Sequence, residues 1–178
     1  DDYGEYLTVG DLRDSVVSHP VADQARNVFA DLIWVLGEAG MDFSNVVRTW
    51  FFNDEILSWY DTFNAVRTEF FQRHGVFEGL VPASTGIGAR NPFGAALTAR
   101  AIAAKPRDSQ VSVYPVDSPL QNSAMEYGSS FSRAVETSFP DQRRLYVSGT
   151  ASIDAAGKTV CVGDIAGQVG KTMEVVGA

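Results

Sequence analysis

Residue types that commonly act as nucleophiles or metal ligands are few in this chain and far apart. It has one cysteine, Cys161, and its histidines are His19 and His74. A structural zinc site needs about four Cys or His ligands, so the sequence predicts no metal site of that kind. A lone cysteine also excludes an intramolecular disulfide and is typical of a reducing compartment, so we expect a cytoplasmic protein.

Hydroxyl side chains are more frequent, but no histidine lies near them in the sequence. Ser148, Thr150 and Ser152 alternate along residues 143–153, which predicts a strand with these hydroxyls on one face. A serine nucleophile needs an adjacent base, so we expect none here. Cys161 lies between apolar neighbours, which predicts a buried and unreactive thiol.

Composition limits the partners of the protein. The chain has 178 residues, with 14 Lys and Arg against 22 Asp and Glu, a net charge of −8 and a pI near 4.6. An acidic chain without a basic patch lacks the electrostatic signature of a nucleic-acid-binding protein. No segment approaches the ~20 consecutive apolar residues of a membrane helix. At 45% hydrophobic residues the chain can bury the core of about one domain.

The order of predicted elements favours an α+β fold. Residues 5–12 and 46–53 have strand patterns, and residues 22–39 and 57–73 have apolar positions at helical spacing, with Gly40 and Gly75 as helix ends. Further extended segments are predicted around a turn at 88–94 and at 110–117, 131–138, 143–153 and 158–163, before a last helix near Asp164. This order places both long helices on one face of a sheet.

A weak internal repeat indicates a second copy of this unit. Residues 20–32 align without gaps to residues 164–176, and Gln24 falls on Gln168. The chain begins at Asp1 without Met and stops within the last predicted helix, so we expect it to be part of a longer protein.

Several segments, taken in order, resemble the Rid family, also called YjgF-like or endoribonuclease L-PSP-like proteins. The similar segments are Gln24 to Gly40, SNVVRTWFF at 44–52, DTFNAVRTEFF at 61–71, PAST at 82–85 and GAALTARAIA at 94–103. The resemblance implies a chorismate-mutase-like fold, a sheet with two helices packed on one face.

Two departures separate this chain from the deaminases of that family. Their P-A-R-S-T motif contains an arginine that binds the substrate carboxylate, whereas here Ser84 directly follows Ala83. Arg100 stands where the family has a strand glutamate near its water. The first copy is therefore not expected to hydrolyse imines by the family mechanism.

A degenerate first copy followed by FSRA and LYVSGTASI is similar to the chorismatases, which have two Rid-like halves and hydrolyse chorismate. By that resemblance the substrate-binding positions are Tyr127, Arg133, Gly149, Thr150 and Ala151. The reaction protonates an enolpyruvyl methylene carbon, adds water and releases pyruvate, which requires a carboxylic acid with a raised pKa. The resemblance places this acid, a glutamate, near the end of the second copy.

Simpler explanations exist for three of these positions. Arg133 can be a strand arginine in a surface ion pair, Gly149 can reflect close backbone packing, and Tyr127 can cover the edge of a core.

The resemblance also predicts the organisation of the chain. We expect a degenerate Rid-like unit at 1–117, a linker at 118–130 and the start of a second unit at 131–178. Open sheet edges favour a homotrimer or an intramolecular pseudo-trimer. The predicted partner is a small carboxylate substrate, with no cofactor, metal, nucleic acid or membrane. The alternatives are a Rid-type imine deaminase and a non-catalytic binding protein, and a ribonuclease fits the acidic charge least.

Overall fold

The computed structural model describes residues 2–178, so Asp1 lies outside the described part of the chain. The strands are β1 (Gly4–Leu12), β2 (Val46–Asn53), β3 (Ala83–Gly88), β4 (Leu97–Pro106), β5 (Ser112–Val116), β6 (Ala134–Ser138) and β7 (Arg143–Val147). The helices are α1 (Val21–Glu38), α2 (Ile56–Arg73) and α3 (Ile165–Gly177), with a short 3₁₀ turn at Ala124–Tyr127. This mixture confirms the predicted α+β class.

The first four strands form one sheet, sheet I, in the order β1-β4-β2-β3. Strand β4 is antiparallel to both β1 and β2, while β2 and β3 are parallel. Helix α2 lies between β2 and β3 in the chain, as a parallel connection requires. Strand β3 is thereby left at the edge of sheet I.

Both long helices pack on the same face of sheet I, as predicted. Phe29 and Leu36 of α1 and Phe63 of α2 are fully buried against strand residues such as Phe51 and Leu97. The ring of Phe29 lies 5.5 Å from that of Phe51 and 4.6 Å from that of Phe70. Burial of these apolar side chains stabilises this half of the molecule.

The helix ends follow the local sequence signals. Helix α1 begins directly after Pro20, and Gly40, with φ of +66°, follows its last turn. Helix α2 ends at Arg73, and Gly75 has φ of +65°. Both glycines adopt the left-handed conformation that disfavours side chains with a Cβ, which confirms the predicted helix ends.

The remaining strands form a smaller antiparallel sheet, sheet II, in the order β5-β6-β7. Val135 of sheet II packs against Val47, Ala83 and Ala104 of sheet I. Val47 and Ala104 lie on the face of sheet I opposite the helices, because neighbouring residues of a strand point to opposite faces. Sheet II therefore covers part of that second face.

Three sequence predictions in this region are wrong. The strand predicted over 143–153 ends at Val147, and residues 158–163 form no strand, only an isolated bridge between Ile153 and Thr159. Cys161 is exposed rather than buried and has φ of +56°. The apolar neighbours of Cys161 lie in a turn before α3, so their pattern does not reflect a buried strand.

None of the helices in the described residues is long and apolar enough to cross a membrane.

Candidate functional site

The substrate-binding residues predicted from the sequence lie around one cavity. It has a volume of about 450 Å³ and lies where the edge strand β3 meets the segments before β6 and after β7. The lining includes Tyr127, Arg133, Gly149, Thr150 and Ala151. It also includes residues that the sequence did not single out as ligand-binding, namely Tyr60, Arg67, Ser84, Thr85, Gly86, Ile87, Ser129, Phe131, Ile153 and Gly157.

Backbone hydrogen bonds join the two sheets beside this cavity. Ser132 N–H donates to the carbonyl of Pro82 at 3.1 Å, and Gly149 N–H donates to the carbonyl of Ser84 at 3.0 Å. Ser84 N–H in turn donates to Ser148 Oγ at 2.8 Å. Ser148 N–H still donates to the carbonyl of Arg133 at 2.9 Å, on the β6 side, but Gly149 N–H turns to β3. The strand predicted over 143–153 therefore stops early.

Gly149 lies too close to Thr85 to carry a side chain. A Cβ at this position would be 2.9 Å from Thr85 Cγ2 and 3.1 Å from its Oγ1. The alternative of close backbone packing therefore accounts for the glycine. Because its N–H already binds the Ser84 carbonyl, Gly149 has no free backbone donor for a ligand.

The two backbone N–H groups after Gly149 in the chain have no protein acceptor within the described residues. Within residues 2–178, the N–H groups of Thr150 and Ala151 donate no hydrogen bond to protein. The Thr150 hydroxyl donates to the Ser148 carbonyl at 3.1 Å, which fixes the local turn. Oriented N–H groups beside a cavity bind anionic oxygens well.

Arg133 is not the surface residue of the simpler sequence interpretation. Only 8% of it is exposed. Its Nε and Nη2 both donate to the carbonyl of Asn122, at 2.9 and 2.8 Å, and its guanidinium lies 5.3 Å from the Tyr127 ring centroid. In the described chain it forms no ion pair with a carboxylate. Its positive charge is therefore uncompensated at the cavity wall.

Tyr127 lines the cavity beside Arg133. It ends the 3₁₀ turn at Ala124–Tyr127 and is 37% exposed. Its ring also packs closely on Gly157, where an added Cβ would lie 3.1 Å from Tyr127 Cδ1. The ring therefore contacts the cavity with one part and the 154–158 turn with another.

Arg67 is the main lining residue that sequence reasoning missed. It lies on α2, is only 3% exposed, and its Nη2 donates to Asn64 Oδ1 at 2.9 Å. Burial lowers the pKa of Arg67 to about 10, which leaves the guanidinium charged at neutral pH. A signal was present in the sequence, since Arg67 follows Phe63 by four residues on the apolar stripe of the helix. A cation on that stripe has to reach either a partner or a cavity.

Arg48 supports the site from inside sheet I. It is 5% exposed, donates to the carbonyl of Thr49 at 2.8 Å, and donates through Nη2 to Thr85 Oγ1. Burial lowers the pKa of Arg48 to about 10. Arg48 does not line the cavity, but it orients Thr85, which contacts Gly149.

The charge of the cavity is opposite to that of the whole chain. Two arginines line it and no described lining residue is acidic, whereas the protein carries a net charge of −8. The cavity can therefore attract an anion from a protein surface that repels anions elsewhere. No lining residue in the described chain is an Asp, Glu or His, so the lining supplies two cations but no carboxyl or imidazole group.

Hydroxyl nucleophiles are not supported either. Ser148 Oγ donates to the Ser132 carbonyl, and Ser152 Oγ donates to the Val160 carbonyl at 3.0 Å. His19 and His74 lie outside the lining. In residues 2–178 no group of three or more His, Cys, Asp or Glu side chains is arranged to hold a metal ion.

Comparisons with known proteins agree with the resemblance seen in the sequence. The family model described as Endoribonuclease L-PSP matches residues 8–104. Over 164 residues the chain is 34% identical to a chorismatase of Streptomyces rapamycinicus, a match that covers 83% of this chain and 46% of that protein.

Solved structures show the same fold. A chorismatase crystal structure superposes with a TM-score of 0.75 at 24% identity, over 99% of this chain and 53% of the other. Escherichia coli TdcF with bound serine superposes with a TM-score of 0.51 at 20% identity, over 57% of this chain and 85% of the other. The chain thus spans about half the length of the chorismatases that it matches.

Proposed function

Since the chain belongs to the endoribonuclease L-PSP family, the Rid or YjgF-like proteins, and resembles the chorismatases, we propose that it binds and hydrolyses chorismate or a closely related small carboxylate, releasing pyruvate. The observation that carries this proposal is the cationic cavity, in which Arg67 and Arg133 lie buried without carboxylate partners.

The proposed substrate-binding residues are Tyr127, Arg133, Gly149, Thr150 and Ala151. In this proposal Arg133 and the free N–H groups of Thr150 and Ala151 bind carboxylate oxygens, and the Tyr127 ring packs against the six-membered ring of the substrate. Gly149 acts through its lack of a side chain, which leaves room beside Thr85. These contacts orient the substrate and neutralise its charge.

The chemical step adds water across an enol ether. A carboxylic acid donates a proton to the methylene carbon, and water adds to the resulting cation and returns a proton to the carboxylate. The C–O bond of the hemiketal then breaks to give pyruvate and the ring alcohol. The described residues that line the cavity include no carboxyl group. The acid is therefore proposed to come from the part of the fold that the resemblance assigns to the second copy.

Two further properties are proposed on the same basis. Open sheet edges in a Rid-like unit favour a homotrimer or an intramolecular pseudo-trimer, which light scattering would distinguish. A single cysteine favours a cytoplasmic location.

The test is to incubate the protein, in its full natural length, with chorismate and to quantify pyruvate and the ring product. We expect stoichiometric pyruvate, and an Arg133→Gln variant should lose at least about tenfold in kcat/KM because a charge-assisted hydrogen bond is removed. Arg143→Gln is the matched control, because Arg143 is exposed on β7 and pairs with Glu136 at 3.6 Å. It should keep full activity.

Absence of pyruvate from a correctly folded sample would overturn the hydrolase proposal. The family match supports one alternative, a Rid-type imine deaminase, which would instead release ammonia from an enamine or imine. The absence of a lining acid among the described residues supports another, a binding protein, which would bind chorismate without converting it.

A further inference from the structure

Arg67 is buried in a way that its protein neighbours do not explain. Its side chain is 3% exposed, and its Nε has no hydrogen-bond partner within residues 2–178. Its hydrogen-bond partner is the neutral amide of Asn64, and the Phe63 ring lies 5.3 Å away. It forms no ion pair with any carboxylate in that range.

Such a residue is unfavourable for folding alone. Removing a guanidinium from water costs free energy that a neutral amide and an aromatic ring recover only in part. A methionine of similar length would fill the same space without that cost. The arrangement is what a site prepared for an anion requires, because Arg67 lines the cavity and an anion that enters would supply the charge that no protein carboxylate provides.

The position of Arg67 defines what kind of anion fits. It reaches the cavity from α2, on the side of sheet I, whereas Arg133 reaches it from the segment before β6 of sheet II. Ser84 and Thr85 of β3 line the same cavity. A small ligand in this cavity therefore meets one cation from helix α2, which packs on sheet I, and one from the segment that leads into sheet II.

We propose that Arg67 binds one carboxylate of a small dicarboxylate ligand, while Arg133 and the N–H groups of Thr150 and Ala151 bind the other. The site is then bipartite, and its preference for dianions over monoanions depends on the first-half residue Arg67. The identity of the natural substrate rests on the proposed function. The class of ligand, a small dicarboxylate, rests on the two arginines that line the cavity.

Binding measurements on the protein test it, with chorismate and isophthalate as dicarboxylates and benzoate as the monocarboxylate. Arg67→Met should weaken binding of both dicarboxylates by about tenfold or more, as expected for loss of a hydrogen bond to a charged group. Binding of benzoate should change by less than about twofold, because Arg133 and the backbone donors suffice for one carboxylate.

Two further variants separate binding from folding. Arg73→Gln, on the same helix, changes an exposed arginine that pairs with Glu69 at 2.7 Å, and it should leave all three affinities unchanged. Arg67→Lys keeps the charge but loses the planar fork, so it should restore part of the dicarboxylate affinity. The melting temperature of Arg67→Met should equal or exceed that of the unmodified protein.

Three results would overturn the inference. The first is an unchanged affinity of Arg67→Met for the dicarboxylates, and the second is an equal loss of affinity for benzoate and the dicarboxylates in that variant. The third is that neither dicarboxylate binds to the unmodified protein. Failure of the proposed function gives a different result, namely Arg67-dependent binding of isophthalate or chorismate without release of pyruvate. Release of pyruvate with an unchanged KM in Arg67→Met would support the function and overturn the role of Arg67.

Discussion

Helices α1 and α3 begin with similar sequences but have different surroundings. Ala25, Phe29 and Leu32 of α1 are at most 1% exposed in the core of sheet I. The aligned residues of α3 are exposed, with values of 58% for Val169, 60% for Met173 and 42% for Val176. Of the residues in α3, Val175 alone is classed as buried.

The aligned glutamines differ in the same way. Gln24 is buried, donates to the carbonyls of Val17 and His19, and accepts from Ala96 N–H at 2.8 Å. The Gln168 side chain is half-buried and makes no hydrogen bond within residues 2–178. An amphipathic sequence therefore determines that a helix forms, but a neighbouring sheet determines whether its apolar face is covered.

Sheet II covers only the C-terminal end of α3, where Val175 is 7% exposed and borders a cavity lined also by Leu145 and Val147 of β7. Strand β7 ends at Val147, Gly149 N–H donates to Ser84 of β3, and the chain then continues to α3. Most of the apolar face of α3 is therefore exposed within the described residues. The predicted boundaries at 117 and 130 remain predictions, and so does the repeat.

The largest expected effect comes from a pair of substitutions at aligned positions. Phe29→Ala should lower the free energy of unfolding by about 3–5 kcal/mol, because it removes a buried ring between Phe51 and Phe70. Met173→Ala should change it by less than about 0.5 kcal/mol, because the side chain is mostly exposed. Urea unfolding of the 178-residue chain measures both.

A large decrease in the free energy of unfolding of Met173→Ala would show that the apolar face of α3 is covered in solution. That result would contradict the contrast between the helices. The same substitution in the full natural length sharpens the comparison. If a second unit packs on α3, Met173→Ala should then cost about 2–5 kcal/mol, as a buried methionine does.

The sequence predicted the first half of the chain more closely than the second. The run of β-branched and aromatic residues at Val46–Asn53 predicted a strand with the observed bounds, because such residues pack well in a buried sheet. The alternating hydroxyls of Ser148, Thr150 and Ser152 predicted a strand wrongly. Each of these hydroxyls instead donates to a backbone carbonyl, which favours turns.

The candidate site shows the same limit. Resemblance to a family selected Tyr127 and Arg133, which do line one cavity. Arg67 was missed because helical periodicity identifies the buried face of α2 but not that part of this face borders a cavity. That information depends on how the two sheets meet, which local sequence does not encode.

A smaller effect is expected where the two sheets meet. Gly149→Ala should lower the free energy of unfolding by about 1–3 kcal/mol, because the new methyl group would lie 2.9 Å from Thr85 Cγ2. Gly37→Ala is the matched control, since Gly37 lies in α1 with no atom within 4 Å of the added Cβ. It should raise stability by about 0.5–1 kcal/mol. Equal stability of Gly149→Ala and the unmodified protein would show that the two sheets separate readily at this point.

The smallest effect is the acid sensitivity of the segment before α1. Burial acts to raise the pKa of Asp14, but hydrogen bonds from Val16 N–H, His19 and Asn27 outweigh it and hold the pKa below its usual value. The His19 and Asn27 nitrogens each lie 2.7 Å from Asp14 Oδ2. A carboxyl with a lowered folded-state pKa stabilises the protein fully above its unfolded-state pKa of about 3.9, and this contribution is lost as the pH falls further.

Unfolding measured between about pH 6 and pH 3 should therefore show a loss of stability that an Asp14→Asn variant reduces, because the amide does not titrate. Asp23→Asn is the control, since Asp23 is half exposed in α1 and pairs with Arg26 at 2.8 Å. An exposed pair contributes little, so this variant should follow the unmodified protein. If Asp14→Asn and Asp23→Asn instead had the same acid profile, the hydrogen bonds of Asp14 would not stabilise its charged form. The charged form of Asp14 would then stabilise the segment before α1 no more than Asp164 stabilises the exposed turn before α3. There Asp164 Oδ1 accepts a hydrogen bond from Gly167 N–H at 3.0 Å.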